Sequence, residues 1–362
     1  MFYQLLYPLS DYSIVFNIFR YITFRAVGAS VTAFLVSIFL GPIVIKWLTR
    51  LSVVNAIKRE HAEKIHSFYA AKGTVPTMGG LLIVGSLLIA NVLWGNLGNR
   101  FLLLTLLVVV WFGLIGFIDD LLKLKRKNTR GLSSLVKLTG QLVLGTAIGT
   151  FLYLEPSFSK LLYVPFFKEA AVPLGIFFIP FVVLVLVGTS NALNLTDGLD
   201  GLAIGCLAFA AGAFSILTYL AGRSDFAYYL GIPYVAGSGE LTVFCASLVG
   251  ASVGFLWYNS YPATVMMGDT GSLSLGGALG TVAILIKSEL ALIVVGGIFI
   301  WEALSVMIQI FSFRVFKRRV FLMSPYHHHL QLRGLPESKV TIRLWIVAFI
   351  LALIGLSTLK LR

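Results

Sequence analysis

Five short strings in this chain hold most of the groups able to do chemistry. Phe117-Ile118-Asp119-Asp120-Leu121-Leu122-Lys123 sets two adjacent carboxylates at the end of an apolar run. Acids at a helix C-terminus oppose the macrodipole, and neighbouring carboxylates repel; a divalent cation or a proton-transfer task would explain both costs. Lys123, Lys125, Arg126 and Lys127 then form a rim that attracts phosphate. The stretch 191–201 interrupts two apolar segments with Asn194, Asp197, Asp200 and the glycines 198 and 201. Irregular backbone at membrane depth is tolerated only inside protein or against a cavity, and acids there point to function. Met267-Gly268-Asp269-Thr270-Gly271-Ser272 reads as the opening of a helix, with N–H groups suited to phosphate and a carboxylate suited to Mg2+. It lacks the Lys and spacing of a Walker A loop, and an Asp N-cap accounts for the string about as well. Pro325-Tyr326-His327-His328-His329-Leu330 offers three adjacent imidazoles. Consecutive side chains diverge whereas zinc wants converging ligands, so diphosphate binding fits better than the zinc alternative. Lys72, ahead of Val75-Pro76-Thr77-Met78-Gly79-Gly80, adds a cation for an anionic ligand; His61 and His66 read as solvated.

The elements that must carry these groups are membrane helices. The chain has 362 residues, of which 58% are apolar and 12% charged, with a mean hydropathy of +0.93. Soluble domains carry about 25% charged residues. Soluble, disordered, coiled-coil and disulfide-scaffold classes are all excluded. Cys206 and Cys245 lie in apolar runs, which argues against a disulfide framework or a Cys-based zinc site. No signal peptide is legible, because Tyr3, Tyr7, Asp11 and Tyr12 break up the first stretch.

Apolar runs at 26–45, 75–99, 101–118, 138–154, 170–196, 201–222, 241–268, 270–286, 290–313 and 344–359 predict ten spans in a single integral membrane domain over 1–362. Only the ninth is charged, at Glu302, read as a structural hydrogen bonder rather than part of a groove. Nineteen of the 28 Lys and Arg fall at 46–72, 123–137 and 314–343. The positive-inside rule therefore makes the regions near 46–76, 119–137, 191–201, 259–272 and 314–343 cytoplasmic and both termini external. Asp119, Asp120, Asp197, Asp200, Asp269 and the three histidines all come to the cytoplasmic side. The net charge of +13 is thus mainly topological, with a minority serving phosphates and none implying nucleic acid. Acids for Mg2+, cations for phosphate and access to lipid and cytosol together suit transfer of a phosphoryl-linked group from a soluble nucleotide to a lipid.

The same strings, in this order, resemble those of the bacterial phospho-N-acetylmuramoyl-pentapeptide-transferases (translocase I) within the polyprenyl-phosphate phosphoglycosyl transferases. The match runs from Tyr21 to Arg362. Lys123 and the unbroken His triplet favour this branch over the related N-acetylhexosamine-1-phosphate transferases. The resemblance implies an all-α polytopic protein of the bacterial inner membrane. The implied reaction takes undecaprenyl phosphate and UDP-N-acetylmuramoyl-pentapeptide to lipid I and UMP, with Mg2+. It implies Asp269 as the Mg2+ ligand, Asp119 as the group that orients or deprotonates the lipid phosphate, and Asp120 as support for that geometry. Lys72, Asn194, Asp197 and Asp200 would contact the uridine end, Lys123, Lys137 and Asn259 the phosphates, and His327, His328 and His329 the donor phosphates or sugar. Direct attack is expected over a covalent aspartyl intermediate, since a phosphate dianion needs no strong base. Val75 replaces the family's usual Thr, and Met266 replaces an aromatic that stacks on uracil; its thioether can still cover a base. A homodimer is an admissible assembly. The rivals are a secondary transporter, which expects acids near the midplane reached from both faces, and a prenyltransferase, which has no use for the His triplet.

Overall fold

The computed structural model describes residues 1–51, 75–126, 131–164, 171–357 and 359. Each predicted span carries a helix: α1 Ile22–Arg50, α2 Gly80–Trp94, α3 Arg100–Lys125, α4 Ser134–Leu154, α5 Phe178–Thr196, α6 Leu202–Ala221, α7 Glu240–Asn259, α8 Gly268–Leu285, α9 Gly297–Phe316 and, after the short α10 at Tyr326–Leu332, α11 Glu337–Ser357. Among the described residues, eight of these are long and apolar enough to cross a membrane. The other two differ for a reason. α2 has 15 residues, and α8 is rich in Gly, Ser and Thr but is buried without a break from Thr270 to Leu285. A helix shielded by other helices needs no lipid-facing apolar surface, and small residues let its neighbours approach.

α8 is the shaft of the bundle, flanked by α3 and α5, while α7 packs on α1 and α6. Side-chain caps start α3 and α4. Asn99 Oδ1 accepts from Phe101 N and Leu102 N at the head of α3, and Ser133 Oγ accepts from Val136 N before α4. Both described chain ends lie at the face opposite the acidic strings. There the Met1 ammonium donates to Val92 O at 2.7 Å, and Arg25 grips Glu240 with both terminal nitrogens. Arg25 and Glu240 are buried, and Asn96 N donates to the same carboxylate at 3.1 Å. A two-stranded hairpin pairs Leu161–Tyr163 with Ala171–Pro173 on this face.

Four boundaries differ from the hydropathy reading. α3 continues to Lys125, so Asp119 and Asp120 sit inside a helix rather than at its end. Lys123, one turn on, lies 2.6 Å from Asp119 and supplies the compensation that a terminus would have needed. The run 170–196 begins as a strand before α5. The run 241–268 stops being helical at Asn259, because its apolar tail forms an extended connection to α8. The run 290–313 is broken at Gly296, between a short helix Glu289–Val295 and α9.

Candidate functional site

Close helix approach assembles the acidic centre. Gly116, one turn before the aspartate pair, lies against the first turn of α8, and a Cβ there would overlap the Asp269 carbonyl. That approach lets Asp120 reach across and cap α8. Its Oδ1 accepts from Asp269 N at 3.2 Å, and its Oδ2 from Thr270 N at 2.9 Å and Thr270 Oγ1 at 2.8 Å. A buried carboxylate on the orphan N–H groups of a helix N-terminus is favourable twice over, through hydrogen bonds and through the dipole. Asp120 is therefore committed to holding the turn that displays Asp269.

Asp119, Asp120 and Asp269 each offer an oxygen within 4.8 Å of the others, and among the described residues they are the one acid, His or Cys group close enough to share a cation. Asp119 is fully buried. Its Oδ1 accepts from Leu132 N at 2.7 Å. Two ammonium groups neutralise the centre: Lys123 Nζ lies 3.2 Å and Lys137 Nζ 2.8 Å from Asp269 Oδ2, with Lys137 also 3.2 Å from Asp119. Asn194, from the last turn of α5, donates to Asp269 Oδ1 at 3.0 Å and to Ser272 Oγ at 2.8 Å. Asp197, just beyond α5, is pushed up to about 7 by burial and then by the Asp269 charge. Hard oxygen donors in a partly buried cluster suit Mg2+ better than a softer metal.

The remaining sequence-selected residues sort into braces and a separate wall. Asp200 Oδ2 accepts from Ala263 N at 3.1 Å, and Asp200 N donates to Glu337 at 2.8 Å. Asn259 accepts from Gly201 N at 3.1 Å and donates to Val265 O at 2.8 Å. These two side chains tie the 197–201 turn to the 260–267 connection. Met266 is half-buried, and its backbone pairs with Pro76 O and Gly79 N. Replacing it with Phe should not abolish the activity that the resemblance implies, because the position is fixed by backbone pairing; steady-state turnover of Met266→Phe checks this. Lys72, with His61 and His66, lies outside the described residues.

The three histidines are buried in α10 but are not equivalent. His329 Nδ1 accepts from Leu322 N at 3.1 Å, and its ring packs on Phe321 and Tyr326. Burial and the nearby Arg333 charge hold that imidazole below its usual pKa, as an accepting nitrogen requires. His328 Nδ1 lies 2.9 Å from Gln331 Oε1. His327 stands beside Gly198 and the Asp197 turn. The His327 and His328 rings meet edge-on with centroids 4.2 Å apart, while His327 Nδ1 lies 3.1 Å from Glu302 Oε2, so the adjacent imidazoles touch but take different polar partners. Residues the sequence reading missed are Thr270, Ser272 and Leu132, whose partners come from other helices and leave no local signal.

The comparisons fit this arrangement. Residues 102–287, which include both aspartate strings of the centre and the 191–201 turn, match the model of glycosyl transferase family 4. Proteins called phospho-N-acetylmuramoyl-pentapeptide-transferase align over their whole length and all of this chain: 51% identical from Geobacter sp. (strain M21), 52% from Oleidesulfovibrio alaskensis and 49% from Thermodesulfovibrio yellowstonii. Identity of about half over all of this chain and of each relative, with the described aspartate strings gathered at one face, makes this chain a member of the phospho-N-acetylmuramoyl-pentapeptide-transferase family.

Proposed function

We propose that this protein transfers phospho-N-acetylmuramoyl-pentapeptide from UDP-N-acetylmuramoyl-pentapeptide to undecaprenyl phosphate, giving lipid I and UMP at the cytoplasmic face of the bacterial inner membrane. The observation that carries the reading is the cluster of Asp119, Asp120 and Asp269 at one end of the bundle, bridged by Lys123 and Lys137. The transporter alternative expects its acids near the midplane, which this arrangement does not favour.

In the proposed step an oxygen of the lipid phosphate attacks the sugar-bearing phosphorus of the donor, and the bond to the UMP oxygen breaks. The dianionic acceptor brings no proton that must be removed. Asp119 orients the lipid phosphate, with Lys123 and Lys137 shared between it and Asp269. Asn194 sets the Asp269 carboxylate, and Asp120 holds the helix turn beneath it. The donor set fits Mg2+, with Asp269 as the residue that would chiefly hold it; when bound, the ion would supply neutralisation of the diphosphate and of charge growing on the leaving phosphate. Asp197 and His327 border the nucleotide end, and Asp200 and Asn259 keep that border in register.

Purified protein in detergent with both substrates should release UMP, stop on chelation with EDTA and resume when Mg2+ is returned. No UMP from any nucleotide-sugar donor would end the proposal, whereas release only from UDP-N-acetylglucosamine would move the chain to the sister branch.

A further inference from the structure

The backbone of Asp200 and Gly201, just before α6, is irregular and lies at the membrane boundary, so its polar groups need partners from other elements. Side chains meet all four. Asp200 N donates to Glu337 Oε1 at 2.8 Å, and Asp200 O accepts from Thr341 Oγ1 at 3.2 Å. Gly201 N donates to Asn259 Oδ1 at 3.1 Å, and Gly201 O accepts from Trp345 Nε1 at 3.1 Å. Three of these four partners stand on α11, at positions 337, 341 and 345. A spacing of four sets them one above another on a single face of the helix. Trp345 is itself seated by glycines. A Cβ at Gly205 would overlap its indole, and one at Gly201, whose φ is +72°, would come within 3.3 Å of the ring. Packing alone calls for apolar side chains along such a face, whereas this one aims its hydrogen-bonding groups at one turn.

We infer that α11 is a positioning element for the nucleotide end of the site: Glu337, Thr341 and Trp345 hold the Asp200–Gly201 backbone and so fix the turn, with Asp197 at its head, against the donor's nucleoside. The inference rests on the proposed nucleotide-donor reading, which puts that turn at the nucleotide end. Its effect is confined there. Asn194, three residues before Asp197, keeps its own bonds to Asp269 and Ser272, and Asp120 keeps the head of α8. Loosening the brace therefore removes binding that ground state and transition state share, which raises KM and leaves kcat. A role in bundle stability alone would not distinguish the two substrates.

The test uses full-length protein in detergent. Glu337→Met removes the acceptor from a half-buried site, and Glu337→Gln retains one. Glu337→Met and Thr341→Val should each speed amide hydrogen exchange in peptides covering 197–201. Each should also raise KM for UDP-N-acetylmuramoyl-pentapeptide about 3–30-fold, the effect of one hydrogen bond lost from a buried group. KM for polyprenyl phosphate and kcat should stay within about twofold of the parent, and Glu337→Gln should restore both slow exchange and the donor KM. Thr341→Val, close to threonine in shape, carries the decision should Glu337→Met fail to fold. Unchanged exchange in the turn, an unchanged donor KM, or equal rises in KM for both substrates would overturn the assignment. Faster exchange in the variants of a parent that forms no UMP would instead count against the proposed reaction.

Discussion

Asp269→Asn should lower UMP formation by about 10²–10³-fold, the size seen when one group that stabilises developing charge is removed. The substitution preserves shape, and Asn194 can still donate to the remaining carbonyl oxygen. What disappears is the charge faced by Lys123 at 3.2 Å and Lys137 at 2.8 Å. Two ammonium groups would then share the two carboxylates that remain, one of which is already committed to capping α8. The variant should fold, since the Asp120 cap is untouched, and under the proposed reading Mg2+ should raise the unfolding temperature of the parent but not of the variant. Turnover within about tenfold of the parent would remove Asp269 from the centre, because that is less than a single donor to developing charge contributes.

Gly116→Val should be nearly as damaging to activity, although it removes no polar atom. The new side chain would meet the Asp269 carbonyl and Thr270 N, so α3 and α8 must separate. Overpacking of this kind costs about 1–3 kcal/mol in stability. The chemical penalty is larger, because a shift of about 1 Å in a positioned group can cost 10²-fold in rate. Thermal unfolding and UMP release measured together should show modest destabilisation beside a loss of about a hundredfold in rate. A variant with the parent's rate would mean that helix proximity at this point does not set the acidic centre.

These two positions show where the sequence could be read and where it could not. Asp269 stands in a string with glycines on both sides at the head of an apolar run, and such a string announces itself. Gly116 is one small residue among apolar neighbours, and its importance lies in Asp269, which sits across from it on a helix far along the chain. The spans were legible because bilayer thickness fixes their length. Their ends were less so: hydropathy cannot distinguish an apolar helix from the extended 260–267 connection, or a continuous helix from one broken at Gly296. The aspartate pair looked like a helix terminus because the charge-free run ends at residue 118, and Lys123, read as part of a phosphate rim, turns its ammonium back onto Asp119. For Asp200 and Asn259, which the resemblance implies as ligand contacts, the structure adds hydrogen bonds to backbone that hold two connections together, and these have no signature in the sequence. The internal division of the histidine triplet depends on Leu322 and Glu302, which lie outside the string, and on Gln331 from the same short helix.

The clamp between Arg25 and Glu240 has a consequence for biogenesis. The two residues are separated by 215 positions, so during synthesis the first helix enters the bilayer long before its counter-charge exists. Until the seventh emerges from the ribosome the guanidinium has Trp94 O to meet but no carboxylate, although Ser37–Ser86 and Trp94–Thr32 hydrogen bonds can already join α1 to α2. Sealing of that face is thus a late event in translation, when two thirds of the chain has already been made.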